Sequence, residues 1–147
     1  MKHQGVELLV RGVCVKDGKL LMCHTKGADN TYLPGGHVEF GESAEYALRR
    51  EIEEELGDKA EVGTFLGAVE HKFIQKGRIH CEVNLVFLVQ IPALNTDSKP
   101  PSKEAYIEFL WWKLDELERS ELEPEPLRSC LVSWLTSTSP DRWASTY

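Results

Sequence analysis

GGHVEFGESAEYALRREIEEELGD, running from Gly35 to Asp58, is the stretch on which the fold of this chain turns. It opens as a loop. Pro34 fixes the backbone ahead of it, and Gly35, Gly36 and Gly41 supply dihedrals closed to residues with a side chain. The remainder predicts a helix: Ser43 is placed to cap its N-terminus, no proline or glycine interrupts it, and Gly57 stands where a C-terminal cap belongs. On a wheel of about 100° per residue with Ala44 at zero, Ala44, Ala47, Leu48 and Ile52 form one apolar stripe. Glu51 at about 340° and Glu55 at about 20° fall inside that stripe, and Glu54 at about 280° borders it. The acids are therefore aimed inward. A carboxylate facing a protein interior is costly unless a positive charge meets it, and three within one turn repel one another as well. A hard divalent cation answers both costs, because Mg²⁺ takes oxygen ligands and keeps waters that a phosphate can replace.

A Glu-rich run on its own is ordinarily a solvated helix face. The loop in front of it separates this segment from that reading. Together they resemble the Nudix box, whose pattern is Gly, five residues, Glu, seven residues, Arg-Glu-aliphatic-any-Glu-Glu-any-Gly-aliphatic. Gly36, Glu42, Arg50, Glu51, Ile52, Glu54, Glu55 and Gly57 fall on its positions, and only Asp58 departs, where the pattern ends on an apolar residue. That departure bears on how the helix exit packs rather than on the ligands. The resemblance implies an α/β fold, an α/β/α sandwich with a mixed β-sheet, in which this loop and helix hold Mg²⁺, with Mn²⁺ as an alternative.

Outward from the box, composition asks for one domain over residues 1–147, with the box at 36–58. The chain is 41% hydrophobic and carries 17 basic against 24 acidic residues, a net charge of -7, which is a globular composition long enough to bury a core. The acidic balance argues against a nucleic acid polymer as partner, since sequence-independent binding relies on a basic surface. A small polyphosphate remains open to it, because a bound cation supplies positive charge locally. Cys14, Cys23, Cys81 and Cys130 form no CxxC pair and read as free thiols in a reducing compartment. Met1 to Gly5 is short and polar for a signal peptide, and no apolar run approaches a membrane span, so a cytoplasmic location is expected. A homodimer is compatible with the sequence.

Before the box, Leu8, Val10, Val13 and Val15 suggest a strand over Glu7 to Val15, and Asp17-Gly18 is a hairpin turn into a second strand at Leu20 to His24. Thr25 to Thr31 is a loop leading to Tyr32-Leu33. After the box, Ala60 to His71 reads as a strand interrupted at Gly63 and Gly67, and Ile79 to Ile91 as its hairpin partner across Lys76-Gly77. Pro92 to Lys103 is a loop, Ala105 to Lys113 a strand, Asp115 to Leu122 a short helix and Leu127 to Leu135 an amphipathic helix. Ser137 to Tyr147 reads as a frayed tail.

The chemistry follows from what a diphosphate requires. Its anionic oxygens repel a nucleophile, so a catalyst must neutralise them and deliver water. Glu51 and Glu55, spaced i and i+4, can grip one Mg²⁺, and Glu54 can bridge to a second ion or hold a water. The resemblance adds the carbonyl of Gly35 as a backbone ligand, Arg50 as the partner that orients the glutamates, and Glu42 as the tie between loop and helix. Gly36, His37 and Glu42 are the loop residues placed for substrate contact. In related enzymes the general base is often a glutamate on the loop before a strand like that at Phe109 to Leu114. Glu104 is the first candidate, Glu108 and Glu70 the next, and Glu54 could serve instead. His71, Phe73 and Arg78 line either a base pocket or merely a hairpin surface. One of Trp111 and Trp112 is expected in the core, with the other free to stack on a base.

The implied activity is hydrolysis of the pyrophosphate bond of a nucleoside diphosphate linked to another moiety, such as a nucleoside triphosphate or nucleotide sugar, releasing a nucleoside monophosphate and a phosphate product. Between Asp58 and Ile91 there is neither the proline of ADP-ribose-cleaving groups nor the tyrosine of the diadenosine polyphosphate groups. The alternative is a catalytically silent nucleotide-binding or sensor module, but such members usually lose box carboxylates and this chain keeps them all.

Overall fold

The structure is a computed structural model that describes residues 4–138 and 140–147. Eight strands and two α-helices follow one another in the order β1 (Glu7–Val13), β2 (Val15–Lys16), β3 (Lys19–Thr25), β4 (Gly35–His37), α1 (Ala44–Leu56), β5 (Glu61–Gln75), β6 (Arg78–Gln90), β7 (Ile107–Lys113), α2 (Leu127–Thr136) and β8 (Trp143–Ser145), with a 3-10 helix at Leu114–Arg119. A five-stranded sheet runs β4-β1-β6-β5-β8 and a three-stranded one β2-β3-β7. The larger sheet is mixed: β1 lies parallel to β6 and β5 to β8, while β1–β4 and β5–β6 are antiparallel.

Both faces of these sheets are covered, which is why β6 alternates two apolar sets rather than an apolar and a polar one. Phe87 and Val89 pack with Val10, Leu21, Cys23 and the inner face of α1, namely Ala47, Leu48, Ile52 and Leu56. Val86 packs with Val13, Leu20, Met22 and, from α2, Leu127, Leu131 and Trp134. The result is a sheet layer between two helical layers, each holding its helix by apolar side chains that contribute about 1.5–3 kcal/mol apiece.

The box helix forms as its sequence predicts. Ser43 is extended, and its hydroxyl accepts the Tyr46 N–H at 3.1 Å, while Gly57 closes the C-terminus at φ 77° with its N–H on the Glu53 carbonyl. The hairpin of β5 and β6 is longer than expected, and its turn falls at Lys76-Gly77. Its bulges lie between Val62 and Gly67, bracketing the two glycines that interrupt the apolar pattern.

Two expectations are corrected. The short helix after β7 is a 3-10 helix, with Glu116 leaving helical dihedrals at its centre. The frayed tail is in part a strand: Trp143–Ser145 extends the sheet alongside Ala68 to Glu70. Three residues show no periodicity, so what holds them is invisible in sequence. The Trp134 indole donates to the Asp141 carbonyl at 2.9 Å, and Arg142 Nη1 donates to the carbonyls of Trp134 at 2.8 Å and Leu66 at 3.2 Å. Of the segment Met1 to Gly5, the first three residues lie outside the described residues. No described helix is long and apolar enough to cross a membrane.

Candidate active site

The glycine loop, as β4, runs antiparallel beside the middle of β1, from Leu9 to Arg11. Gly35 pairs with Arg11 across the β1–β4 ladder at φ 147°, and a Cβ there would overlap the Val10 carbonyl. A Cβ on Gly36 would overlap the Glu51 carboxylate, so a bare backbone at this position is what lets Glu51 lie against the loop.

Arg50 organises the acids around that contact. Its Nη2 and Nε donate to the two Glu42 oxygens at 2.6 and 3.0 Å, and its Nη1 donates to Glu51 at 2.9 Å and more loosely to Glu54 at 3.4 Å. Nη2 also reaches the His37 carbonyl at 3.1 Å. The side chain reaches round from the flank of the helix, and the fork holds loop and helix together. The contact with Arg50 holds the Glu42 carboxyl below the usual range and raises the guanidinium still further above its own. Glu51 goes the other way: its burial outweighs Arg50 and pushes the carboxyl up.

Glu55 is the exception in this cluster. It is 7% exposed, receives the Gly35 N–H, and has its Oε2 buried without a hydrogen-bond partner. Burial pushes its pKa to about 8, against a downward pull from Arg11 and a further upward push from Glu51 and Glu104. Among the described residues no three His, Cys, Asp or Glu side chains converge into a preformed metal cage. What stands instead is a set of carboxylates on one helical turn, partly neutralised by a guanidinium, with one buried oxygen left over. Hard oxygen donors in that state fit a divalent cation, which would give the stranded oxygen its partner.

Glu104 is brought within electrostatic range of Glu55, on a loop tied to α1 by the Lys103 N–H on the Glu55 carbonyl at 2.8 Å. Beside it stands Tyr106, exposed, its hydroxyl raised first by desolvation and then by the charges of Glu104, Glu55 and Glu51. The other two candidates are not brought in. Glu108 is paired with His24 at 3.2 Å, and Glu70 lies in β5 against Ser145 of β8. His37 turns its ring to Glu7 at 2.9 Å, and Glu7 also meets His80 at 3.3 Å, contacts that hold Glu7 below its usual range.

Beyond the loop lies a cavity of about 660 Å³, lined by Arg11, Tyr32, His71, Phe73, Glu82 and Asn84 among others. His71 and Phe73 thus belong to a cavity wall and not merely to a hairpin surface, stacked in one ladder with His80 at 4.9 Å between successive rings. Arg78 is not among the lining residues. Arg11, Tyr32, Glu82 and Asn84 were missed in sequence, although a charge at Arg11 in the middle of the apolar run Leu8–Val13 and a lone amide at Asn84 in VNLVFLV were signals. Both tryptophans are only partly buried: Trp111 packs against the core on the α1 side, its indole N–H without a hydrogen-bond partner, and Trp112 packs on the α2 side with its indole donating to the Glu116 carbonyl at 2.9 Å. A second groove of about 470 Å³ lies outside α1, between Tyr46, Arg49, Glu53 and Lys59, and shares Arg50 and Glu54.

Comparison with known proteins agrees with this geometry. The NUDIX domain family matches residues 6–134. A nucleoside triphosphatase NudI from Escherichia fergusonii is 32% identical over 116 residues, 72% of this chain and 81% of that protein. Among solved structures, a MutT NUDIX hydrolase from Burkholderia pseudomallei is 30% identical, with a TM-score of 0.61 over 76% of this chain and 86% of that one. A UDP-X diphosphatase superposes with a TM-score of 0.69 at 22% identity, over 98% of this chain and 69% of that one, and so speaks for the fold. A family match across most of the chain and a box complete but for its last position place this protein in the Nudix hydrolase family.

Proposed function

We propose that the chain is a divalent-metal-dependent hydrolase of a nucleoside diphosphate joined to a further group, with a nucleoside triphosphate or nucleotide sugar as substrate type. The observation that carries this is Glu55: a buried carboxylate with an unpartnered oxygen, beside Glu51 and under the Gly35 N–H. Glu51, Glu54, Glu55 and the Gly35 carbonyl would hold Mg²⁺, with Mn²⁺ as substitute. When bound, the cation would offset the charge of the diphosphate and lower the pKa of the attacking water.

The chain's own groups do the rest. Arg50 fixes the rotamers of Glu51 and Glu54 and locks the loop through Glu42 and the His37 carbonyl. Gly36 leaves room for Glu51, so the diphosphate meets backbone rather than a side chain. Glu104, whose charge is felt at Glu55, would accept the proton of a water that attacks phosphorus, as the bridging P–O bond breaks and the second phosphate product leaves. His37, turned toward Glu7, contributes its backbone rather than its ring.

The similarity to a nucleoside triphosphatase supports the substrate type. The test is phosphate or nucleoside monophosphate release from a panel of nucleoside triphosphates and nucleotide sugars with Mg²⁺. Turnover by the parent that disappears in a folded Glu54→Gln variant is expected. Turnover persisting in that variant moves the essential carboxylate elsewhere, and a parent inert across the panel returns the protein to the class of nucleotide sensors.

A further inference from the structure

The cavity beyond the glycine loop has one full cation among its lining residues, Arg11, and that side chain is held in place from three sides. Its Nη1 donates to the Leu33 carbonyl at 3.0 Å, its Nε to Asn84 Oδ1 at 3.3 Å, and its guanidinium carbon sits 5.5 Å from the centre of the Tyr32 ring. Asn84 is itself fully buried and spends its amide on Glu82 at 3.2 Å, so the contact that aims Arg11 is backed by a second residue. After these contacts Nη2 has no protein acceptor among the described residues. A half-buried guanidinium immobilised by its other nitrogens, with a free edge on a cavity, is a preorganised anion receptor.

Its position says which anion. Arg11 is the ladder partner of Gly35, and its charge is the strongest pull lowering the buried Glu55 carboxyl. It therefore stands between the acid cluster and the cavity, where a diphosphate chain leaving the cluster would arrive. The cavity's lining includes three rings: Tyr32, against which Arg11 sits, and His71 and Phe73, which stack on each other. A volume of about 660 Å³ falls in the range of small-molecule sites, and aromatic walls with a few polar groups suit a base and ribose. The groove outside α1 has Tyr46 as its only ring, Arg49 and Lys59 as exposed cations, and Arg50 with each of its nitrogens already on a protein acceptor, so it lacks both the ring wall and a fixed cation with a free edge.

We infer that Arg11 receives the phosphate nearest the nucleoside, and that the cavity walled by Tyr32, His71 and Phe73 holds the nucleoside itself. Arg11 thereby decides which end of the substrate points away from the acids. This rests on the reading of the box as the diphosphate site, and binding separates the two.

The experiment measures nucleoside monophosphate and diphosphate binding by calorimetry in EDTA, together with kcat and KM on the nucleotide panel with Mg²⁺. The variants are Arg11→Gln, Arg11→Lys and, as a wall variant remote from the Arg11 anchors, Phe73→Ala, each checked for folding by thermal melt. Arg11→Gln is expected to weaken nucleoside monophosphate binding and raise KM by roughly 10- to 100-fold, the range of a charge-assisted hydrogen bond, with kcat changed less. Arg11→Lys recovers part of the affinity, since charge returns without the fork, and Phe73→Ala weakens binding with the phosphate contact intact. Unchanged affinity and KM in a folded Arg11→Gln overturn the inference even if the parent hydrolyses nucleotides. Should Arg11→Gln not fold, unchanged affinity in Phe73→Ala overturns it. A parent that binds nucleotides through Arg11 but turns over none of them leaves the inference standing and removes the hydrolase reading.

Discussion

Glu55 makes this protein's stability depend on pH in a direction unusual for a carboxylate. Most native acids are stabilised ionised, so stability falls on acidification. Here burial raises the folded pKa from 4.5 to about 8 in the absence of metal. A group held more protonated by the fold favours folding below its unfolded pKa and withdraws that support as pH rises through the folded one. The window is therefore pH 4.5 to 8, and at 1.36 kcal/mol per pH unit it spans at most about 5 kcal/mol, of which about 3 is felt at pH 7. Glu55→Gln removes the titration while keeping the shape and the acceptor for the Gly35 N–H. Its amide leaves a buried donor in place of the stranded oxygen, a cost of about 1–3 kcal/mol.

Metal-free melts of parent and Glu55→Gln should consequently cross. At pH 5 the parent is equal or more stable, and at pH 8 the variant is more stable by about 1–3 kcal/mol, several degrees in Tm for a chain of this size. Added Mg²⁺ should then raise the parent at pH 8, by about 2.7 kcal/mol at a hundredfold excess over Kd, and leave the variant nearly unmoved. A constant Tm difference between the two proteins from pH 5 to 8 in EDTA would refute the burial argument. Equal Mg²⁺ shifts in both would refute Glu55 as a ligand.

Further outcomes test the neighbours. Gly36→Ala drives a methyl into the Glu51 carboxylate and should lower kcat/KM by about 100-fold with a small Tm change; an unaffected rate would mean that Glu51 need not lie against the loop. Glu104→Gln, if Glu104 takes the proton, should lower kcat by about 100-fold or more and abolish the acidic limb of the pH–rate profile; a retained limb assigns it to another acid. Trp134→Ala should cost about 3–5 kcal/mol by urea unfolding, because its ring packs over Gly67 and its indole holds the Asp141 carbonyl, and a loss below 1 kcal/mol would show that the tail is not fastened there.

What could be read in the sequence was what repeats locally. The caps and inward acids of α1 follow from spacing along one helix, and the hairpin turns follow from Asp17-Gly18 and Lys76-Gly77. What escaped were contacts between distant segments. Arg11 and Asn84 are 73 residues apart and meet only because β1 lies parallel to β6, with Arg11 opposite Val86 and Asn84 opposite Leu9 on the same face. Strand β8 depends on carbonyls at Leu66 and Trp134 that no pattern in WAS announces. Trp111 and Trp112 alternate faces as expected, and because both faces of the sheet are covered, each packs partly against a different core.

The acid cluster also explains how α1 folds without a bound cation. Glu51, Glu54 and Glu55, set on one turn, would weaken an isolated helix, yet Glu51 and Glu54 share Arg50, whose fork also holds Glu42 of the loop. The third cannot reach it. Glu55 faces the core side, where only Arg11 and the Gly35 N–H answer its charge, and neither contacts Oε2. A leucine there would pack against Leu48 and Ile52 at no electrostatic cost. The fold keeps instead a carboxylate that burial holds toward its protonated form, at a position that meets the glycine loop through the Gly35 N–H and feels the charges of Arg11 and Glu104.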